Sequence, residues 1–273
     1  MSNAQPLLLI TNDDGIDSPG LWAAAQAVTG LGEIIVAAPC QQWSGASRCF
    51  SSQVSGIVTP RAIEIAGQAV EAFCVDAAPA QVVLHALLEL VPRRPDLLIV
   101  GINYGENLGA DATISGTVGA ALQGATAGIP AIAVSLQTPK EMHVNPSNDV
   151  DFTAAMHFTH LFARRLLHAA LPFDADALKI DVPQDATPST PWRLARVSRR
   201  TYFHAVPPLR DDLSQPSPID YAPRWELQAL ERDSDIYALA VERIVSVAPL
   251  SVDLTSRADP GQVEALLCGP LDF

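Results

Sequence analysis

Basic residues are scarce in this chain of 273 residues. Its 17 lysines and arginines stand against 30 aspartates and glutamates, which gives a formal net charge of −13. Proteins bind DNA and RNA through many Lys and Arg contacts with phosphates, so we expect no polymeric nucleic acid as a partner. A small phosphorylated ligand that is held through a metal ion is compatible with this charge.

Long apolar runs are also lacking, although 48% of the residues are hydrophobic. No stretch approaches the roughly 20 apolar residues that span a bilayer, and residues 1–6 lack the basic and then apolar pattern of a secretory leader. We therefore expect a soluble, cytoplasmic protein with no membrane partner. The apolar content is sufficient for one large domain, or for one domain with a substantial appendage.

Cysteines are few and irregularly spaced. The four of them are Cys40, Cys49, Cys74 and Cys268, and none forms a Cys-x-x-Cys pair. This spacing indicates neither a zinc site nor a disulfide framework, and we expect free thiols.

Short, fully apolar segments alternate with helical patterns through the first half of the chain. This alternation is typical of a parallel sheet that is covered by helices on both faces. The sequence therefore predicts an α/β fold with a Rossmann-like, mostly parallel sheet. The predicted strands cover residues 7–10, 33–38, 97–100, 131–134 and 178–182, and the predicted helices cover residues 21–28, 80–91, 118–127 and 149–170.

Two segments depart from this alternation. Residues 54–75 alternate apolar and polar positions around Ala66-Gly67, which predicts a β-hairpin inserted at the edge of the sheet. From Pro183 onward the chain holds 11 of its 22 prolines, and we expect an extended C-terminal arm there that packs on the core or on a second subunit. Order returns with a predicted helix near 235–241, a strand at 244–247 and a short helix near 261–267.

These patterns divide the chain in two. Residues 1–182 are predicted to form the α/β core with the ligand site. Residues 183–273 are predicted to serve oligomerisation and not to fold as an independent domain.

Polar residues follow three of the predicted strands, where a parallel sheet binds its ligands. Asp13 and Asp14 follow the first strand, Ser44 follows the second and Asn103 follows the third. Adjacent carboxylates repel one another unless a cation or several donors neutralise them. Such oxygen donors favour Mg²⁺ or Mn²⁺ over zinc and copper. The alternative is that Asp13-Asp14-Gly15 is only a turn that caps the next helix.

The segment Ser115-Gly116-Thr117 leads into a predicted helix. Small residues there expose backbone N–H groups and the positive helix end to an anion such as phosphate. The alternative is an ordinary Ser/Thr cap. Residues 101–105 match neither G-x-G-x-x-G nor the P-loop spacing, so a dinucleotide or ATP cofactor is not expected.

Histidines are absent from these loops. We interpret all six as structural or solvated, and no Gly-x-Ser-x-Gly elbow indicates a nucleophilic serine. Metal-assisted hydrolysis is the chemistry that the residues favour. Asp13 is the predicted base for the attacking water because the loops offer no histidine.

Five ordered segments together resemble the survival protein SurE family of nucleotidases. The resemblance is dense over residues 7–136 and weaker over residues 179–183 and 233–255. The five segments are Leu9 to Ile16, Ala38-Pro39 with Ser44 to Ser47, Gly101 to Asn107, Ser115 to Ala121 and Gly128 to Ser135.

The resemblance implies a metal-dependent phosphomonoesterase that releases phosphate from nucleoside 5′- and 3′-monophosphates. Some members of the family also trim short polyphosphate. The resemblance further implies one divalent metal ion per subunit, Mg²⁺ or Mn²⁺, and a homodimer or homotetramer in which C-terminal segments are exchanged.

The resemblance also implies roles for individual residues. The implied metal ligands are Asp13, Asp14, Ser44 and Asn103. The implied contacts with the phosphate and its attacking water are Asn107 and Ser115, to which the helix-terminus argument adds Gly116 and Thr117.

The loop before Ser44 departs from the family pattern at Cys40 to Trp43. Trp43 either stacks on a nucleobase or packs within its own loop. Two alternatives to a nucleotidase stay open: a non-catalytic nucleotide-binding or regulatory protein on the same fold, and a phosphatase for a non-nucleotide phosphomonoester. The intact set of implied site residues favours the enzyme.

Overall fold

The computed structural model of the protein describes residues 5–144 and 147–268. Residues 1–4 lie outside the described residues, and they are part of the N-terminal segment that lacks a leader pattern. Residues 269–273, the end of the predicted C-terminal part, also lie outside the described residues.

Eleven strands occur in the described chain, and nine of them form one twisted sheet. They are β1 Leu7–Thr11, β2 Glu33–Pro39, β3 Val58–Ile65, β4 Gln68–Val75, β5 Leu97–Tyr104, β6 Ala131–Leu136, β7 Ala177–Val182, β8 Trp192–Leu194, β9 Phe203–Val206, β10 Asp220–Pro223 and β11 Val245–Leu250. The large sheet has the order β3-β4-β2-β1-β5-β6-β7-β11-β8, and β9 and β10 pair separately. Strands β4, β2, β1, β5, β6 and β7 run parallel, whereas β3 and β11 are antiparallel to their neighbours β4 and β7. The predicted parallel sheet and its edge hairpin are confirmed.

Helices cover both faces of this sheet. They are α1 Pro19–Ala27, α2 Pro79–His85, α3 Gly116–Thr126, α4 Thr153–Leu166 and α5 Pro260–Cys268, and π-helical turns cover Ala86–Leu90 and Tyr237–Val241. Successive side chains of a strand point to opposite faces. Leu8 and Ile10 of β1 accordingly pack in one hydrophobic cluster with α1 and α4, while Leu7 and Leu9 pack in a second cluster with α2 and α3. Each fully buried leucine of this kind stabilises the fold by about 1.5–3 kcal/mol.

Two predicted helices are shorter in the structure. The long helix expected over residues 149–170 is α4, Thr153–Leu166, because the Asp151 carboxylate accepts the Thr153 N–H at 2.9 Å and holds the preceding chain in a turn. The helix expected near residues 235–241 is the π-helical turn Tyr237–Val241.

Cys40 and Cys74 form a disulfide, so the expectation of free thiols is wrong for this pair. β2 and β4 are parallel neighbours, Ala38 pairs with Cys74, and the Cα atoms of the two cysteines lie 5.1 Å apart. The sequence does not reveal that β2 and β4 are neighbours, because β3 lies between the two cysteines along the chain. Cys49 and Cys268 are free, as expected.

The C-terminal part contributes to the sheet and also extends beyond it. β11 and β8 add two strands next to β7, whereas β9 and β10 form a hairpin over the carboxyl ends of the parallel strands, where their residues line a cavity. Every residue of α5 is exposed. The boundary between core and arm at residue 182 stays a prediction. Within the described residues, no helix is both long and apolar enough to cross a membrane.

The order in which successive strands are added to the sheet reverses at β1. The chain moves from β1 to β2 on one side, whereas β5 pairs with the other side of β1. The loops that follow β1 and β5 therefore diverge, and they open a crevice at the carboxyl ends of these strands.

Candidate metal and phosphate site

The crevice holds a cavity of about 390 Å³. Its wall combines residues from the loops after β1, β2 and β5 with residues from the β9–β10 hairpin. Five of the eight site residues predicted from the sequence line this one cavity: Asp13, Ser44, Asn103, Asn107 and Ser115.

The loop after β1 holds Asp13 and Asp14 in a buried turn. The Asn12 side chain donates to the Gly15 carbonyl at 3.0 Å and accepts the Gly15 N–H at 3.2 Å. Gly15 has a φ of +99°, a conformation that residues with a side chain rarely adopt. This turn buries both carboxylates at the switch point of the sheet.

Each carboxylate has its own hydrogen-bond partners. The Thr117 hydroxyl donates to Oδ1 of Asp13. Asp14 accepts the Tyr104 backbone N–H at 3.2 Å and the Gln42 amide at 3.1 Å. The sequence does not predict this contact of Gln42 with Asp14, because the contact depends on the course of the loop after β2.

Both carboxyl groups are held in an environment that disfavours their charge. Burial raises the pKa of Asp13 to about 6. Burial, together with the negative charge of Asp13, raises the pKa of Asp14 to about 8. Two buried acids that repel each other in this way form a site that a bound cation would stabilise.

Backbone contacts place Ser44 beside the two aspartates. The Trp43 N–H donates to the Asp13 carbonyl at 2.7 Å, and the Ser47 N–H donates to the Ile114 carbonyl at 2.9 Å. A Cβ at Gly119 of α3 would lie 2.2 Å from the Ser47 carbonyl oxygen, so this close approach requires glycine. The Ser44 loop is thereby packed against the start of α3.

Asn103 presents an oxygen to the cavity from the end of β5. Its amide nitrogen donates to the carbonyls of Tyr104 and Gly105, at 3.3 and 2.7 Å. Its Oδ1 accepts no hydrogen bond from the described part of the chain, so it is available as a ligand.

The donor set fits a hard divalent cation. Two buried carboxylates would balance the charge of the ion, and the neutral oxygens of Ser44 and Asn103 are ligands that Mg²⁺ and Mn²⁺ accept. Within residues 5–144 and 147–268, no group of three or more His, Cys, Asp and Glu side chains is arranged to hold a metal ion. An oxygen site with only two acidic ligands is consistent with that finding.

Asn107 and Ser115 both line the cavity. Asn107 donates its backbone N–H to Asp181 and its side-chain amide to the Ser135 hydroxyl, both at 2.8 Å. Ser115 is the N-cap of α3 and accepts the Val118 N–H at 3.1 Å. Because its hydroxyl hydrogen is not used in this bond, Ser115 both caps the helix and can donate to an anion.

Gly116 and Thr117 support Asp13 in the structure. A Cβ at Gly116 would lie 2.7 Å from Oδ2 of Asp13, and the Thr117 side chain is fully buried against Oδ1. Neither residue lines the cavity. Their contacts with phosphate stay predictions.

His143 lines the cavity, so the premise that the site offers no histidine is wrong. Its Nδ1 lies 2.9 Å from the Tyr221 hydroxyl and its Nε2 lies 3.3 Å from the Thr138 carbonyl. No motif in the sequence connects positions 143 and 221, which only the fold brings together. The assignment of Asp13 as the base for the attacking water stays a prediction, and it now rests only on the position of Asp13 in the cavity wall.

The outer wall of the cavity is apolar. It includes Ile114, Val144, Phe203, Ala205, Ile219 and the ring of Tyr221. Phe203 and Tyr221 pack edge to face, with ring centroids 5.3 Å apart. Trp43 is not part of the cavity wall, and its buried Nε1 has no hydrogen-bond partner in the described residues.

Comparison with known proteins gives one consistent result. Residues 8–204 match the family model described as "Survival protein SurE". The chain is 36% identical to the 5′-nucleotidase SurE of Thermococcus gammatolerans over 262 residues, which cover 96% of both chains. It is 37% identical to the 5′-nucleotidase SurE of Archaeoglobus fulgidus over 264 residues, which cover 96% of this chain and 97% of the relative. The crystal structure of the SurE protein from Aquifex aeolicus superposes with a TM-score of 0.73 at 28% identity, and the match covers 96% of this chain and all of that one.

Proposed function

This chain belongs to the survival protein SurE family, and from that premise we propose that it is a metal-dependent phosphatase of nucleoside 5′- and 3′-monophosphates. The products are a nucleoside and inorganic phosphate. One observation carries the proposal: residues from three separate loops, Asp13 among them, line a single cavity at the switch point of the sheet, and a second buried carboxylate, Asp14, adjoins Asp13 without lining the cavity. The relatives named 5′-nucleotidases support a nucleotidase activity.

Asp13, Asp14, Ser44 and Asn103 would hold one divalent ion, Mg²⁺ or Mn²⁺. When bound, such an ion would supply Lewis-acid stabilisation of the negative charge that develops on the phosphate ester. The ion also offsets the repulsion between a phosphate dianion and the acidic chain.

The chain's own residues orient the phosphate. Asn107 and Ser115 contribute an amide and a hydroxyl to the lining of the cavity, and we assign them the phosphate oxygens and the attacking water. We assign Oδ2 of Asp13 the proton of that water, because Oδ1 already accepts from Thr117.

The apolar wall would receive the nucleoside. Phe203 and Tyr221 offer aromatic surface to a nucleobase, a contact that tolerates different bases. The contacts assigned above are to phosphate oxygens and the attacking water, and we assign none to the sugar. For that reason we extend the proposal to 3′-monophosphates and to short polyphosphate.

We also propose that the protein is a homodimer or homotetramer in which C-terminal segments are exchanged. The exposed apolar side chains of the arm and of α5 support this, and they include Leu209, Leu213, Leu254, Leu266 and Leu267. Burying such side chains is the main drive for association. The mass of the particle in solution, measured by light scattering, tests it.

We place the activity in the cytoplasm, where nucleoside monophosphates are made. Fractionation of cells that express the tagged protein tests this placement.

The experiment that tests the function is phosphate release from a panel of nucleoside 5′- and 3′-monophosphates, with Mn²⁺, with Mg²⁺ and with EDTA. We expect turnover that requires the metal and that falls by more than about 100-fold in Asp14→Asn. Asp17→Asn, an exposed acid in the same loop, is the matched control and keeps full activity. Absence of release from every nucleotide by the folded protein would refute the proposal.

The same panel separates the two alternatives. Turnover of glycerol phosphate or sugar phosphates without turnover of nucleotides would indicate a non-nucleotide phosphatase. Calorimetric binding of a nucleotide without hydrolysis under any metal would indicate a nucleotide-binding protein.

A further inference from the structure

A charged group lies fully buried in the sheet, outside the cavity described above. Lys179 is in the middle of β7, and its side chain has no exposed surface. Burial of an unpaired ammonium group would cost several kcal/mol. Its Nζ instead contacts Asp181 of the same strand, and it lies 3.0 Å from Oδ2 of Asp235, which precedes the π-helical turn Tyr237–Val241.

Two carboxyl groups face one ammonium group in this cluster, and four backbone N–H groups donate to the two carboxyl groups. Asp181 accepts the N–H of Asn107 at 2.8 Å. Asp235 accepts the N–H groups of Gly109, Ser198 and Ile236, at 3.0, 3.0 and 2.8 Å. Hydrogen bonds to a charged acceptor are about twice as strong as those between neutral groups, so the cluster holds these segments firmly.

Two of the four N–H groups belong to the loop that carries Asn107. We call residues 105–109, which follow β5, the Asn107 loop. Asp181 holds it at its centre and Asp235 holds it at its end, while Ser135 of β6 holds the Asn107 side chain. The other two N–H groups belong to the C-terminal part of the chain. The charged cluster therefore ties the Asn107 loop to the C-terminal part through β7.

We propose that Lys179, Asp181 and Asp235 are positioning residues that fix Asn107 at the phosphate subsite, and that this requires the folded C-terminal part. The inference rests on the role proposed above for Asn107. Since none of the three side chains lines the cavity, their effect on turnover passes through the Asn107 loop. A misplacement of about 1 Å in such a loop can lower turnover by about 100-fold.

The test removes the charge of Asp181 and follows the Asn107 loop directly. In Asp181→Asn, we expect hydrogen exchange to accelerate by at least about 10-fold in the peptide that covers residues 105–109. Exchange in β1 should stay unchanged. This readout requires no activity, so it remains decisive if the wild-type protein releases no phosphate. Unchanged exchange in residues 105–109 would overturn the inference.

Kinetics in a double-mutant cycle supply the second readout. Asp181→Asn should lower kcat by about 10- to 100-fold. In an Asn107→Ala background, the same substitution should lower kcat by less than about 2-fold. An equal loss in both backgrounds would mean that the cluster acts on catalysis without Asn107, which overturns the proposal.

Control variants separate positioning from loss of stability. Glu242→Gln removes a carboxylate that pairs with Arg193 outside the cluster, and it should leave both readouts unchanged. If Asp181→Asn does not fold, Asp235→Asn takes its place, because it weakens the contact with Gly109 at the end of the Asn107 loop while Asp181 still pairs with Lys179. It should then lower kcat at least about 5-fold in the wild-type background and have no effect with Asn107→Ala, and any other pattern overturns the proposal.

Discussion

Asp14→Asn should stabilise the metal-free protein and abolish its response to metal. The pKa of Asp14 is raised from 3.8 to about 8 by burial and by the charge of Asp13. An acid with a raised pKa in the folded state destabilises the fold as the pH rises above its unfolded pKa. Without metal, the wild-type protein should therefore lose stability between about pH 4 and pH 8, by a few kcal/mol at pH 7–8.

Asparagine removes the charge of Asp14, and the hydrogen bond that it loses costs less free energy than the buried charge does. Asp14 accepts from two donors, the Tyr104 N–H and the Gln42 amide. An asparagine can accept from only one of them, so the unmatched contact costs about 1–2 kcal/mol. The net gain in metal-free stability at pH 8 is about 1–2 kcal/mol, which corresponds to a Tm increase of about 2–6 °C.

Thermal unfolding in EDTA and in Mn²⁺, at pH 5.5 and at pH 8, measures these effects. The wild-type Tm in EDTA should fall between the two pH values, and Mn²⁺ should restore it at pH 8. Asp14→Asn should show neither the same fall nor the restoration. Asp17→Asn, whose carboxylate is exposed in the same loop, should behave as wild type. An equal Mn²⁺ shift in Asp14→Asn and wild type would refute the reasoning.

Three further predictions address other parts of the site. Gly119→Ala should raise the Mn²⁺ concentration for half activation at least about 10-fold. The reason is that a Cβ there would lie 2.2 Å from the Ser47 carbonyl oxygen and would displace the Ser44 loop. An unchanged metal titration would contradict this prediction. Tyr221→Ala should raise KM for nucleotides by about 5- to 100-fold through lost stacking on the base. KM for glycerol phosphate, which has no base, should stay constant, and an equal change for both substrates would exclude a base contact. Truncation after Thr255 removes α5 and should reduce the number of subunits per particle in light scattering, whereas an unchanged number would show that α5 lies outside the interface.

The arrangement of the core could be predicted from the sequence because its strands are continuous apolar runs. β1, β2, β5 and β6 lie where these runs predict them, and the hairpin of β3 and β4 follows from alternation around Ala66-Gly67. The carboxyl ends of parallel strands meet at one edge. Asp13, Ser44 and Asn103 could therefore be assigned to one site before their distances were known.

The tertiary structure decided the contacts between segments that are distant in sequence. Cys40 meets Cys74 only because β4 lies next to β2, and His143 meets Tyr221 only because the β9–β10 hairpin covers the cavity. A side-chain pattern along one element reports which face is buried, but not which partner covers it. The buried Lys179 shows this well, because its sequence neighbours predict a plain strand, while its charge is balanced by Asp235 from the far end of the chain.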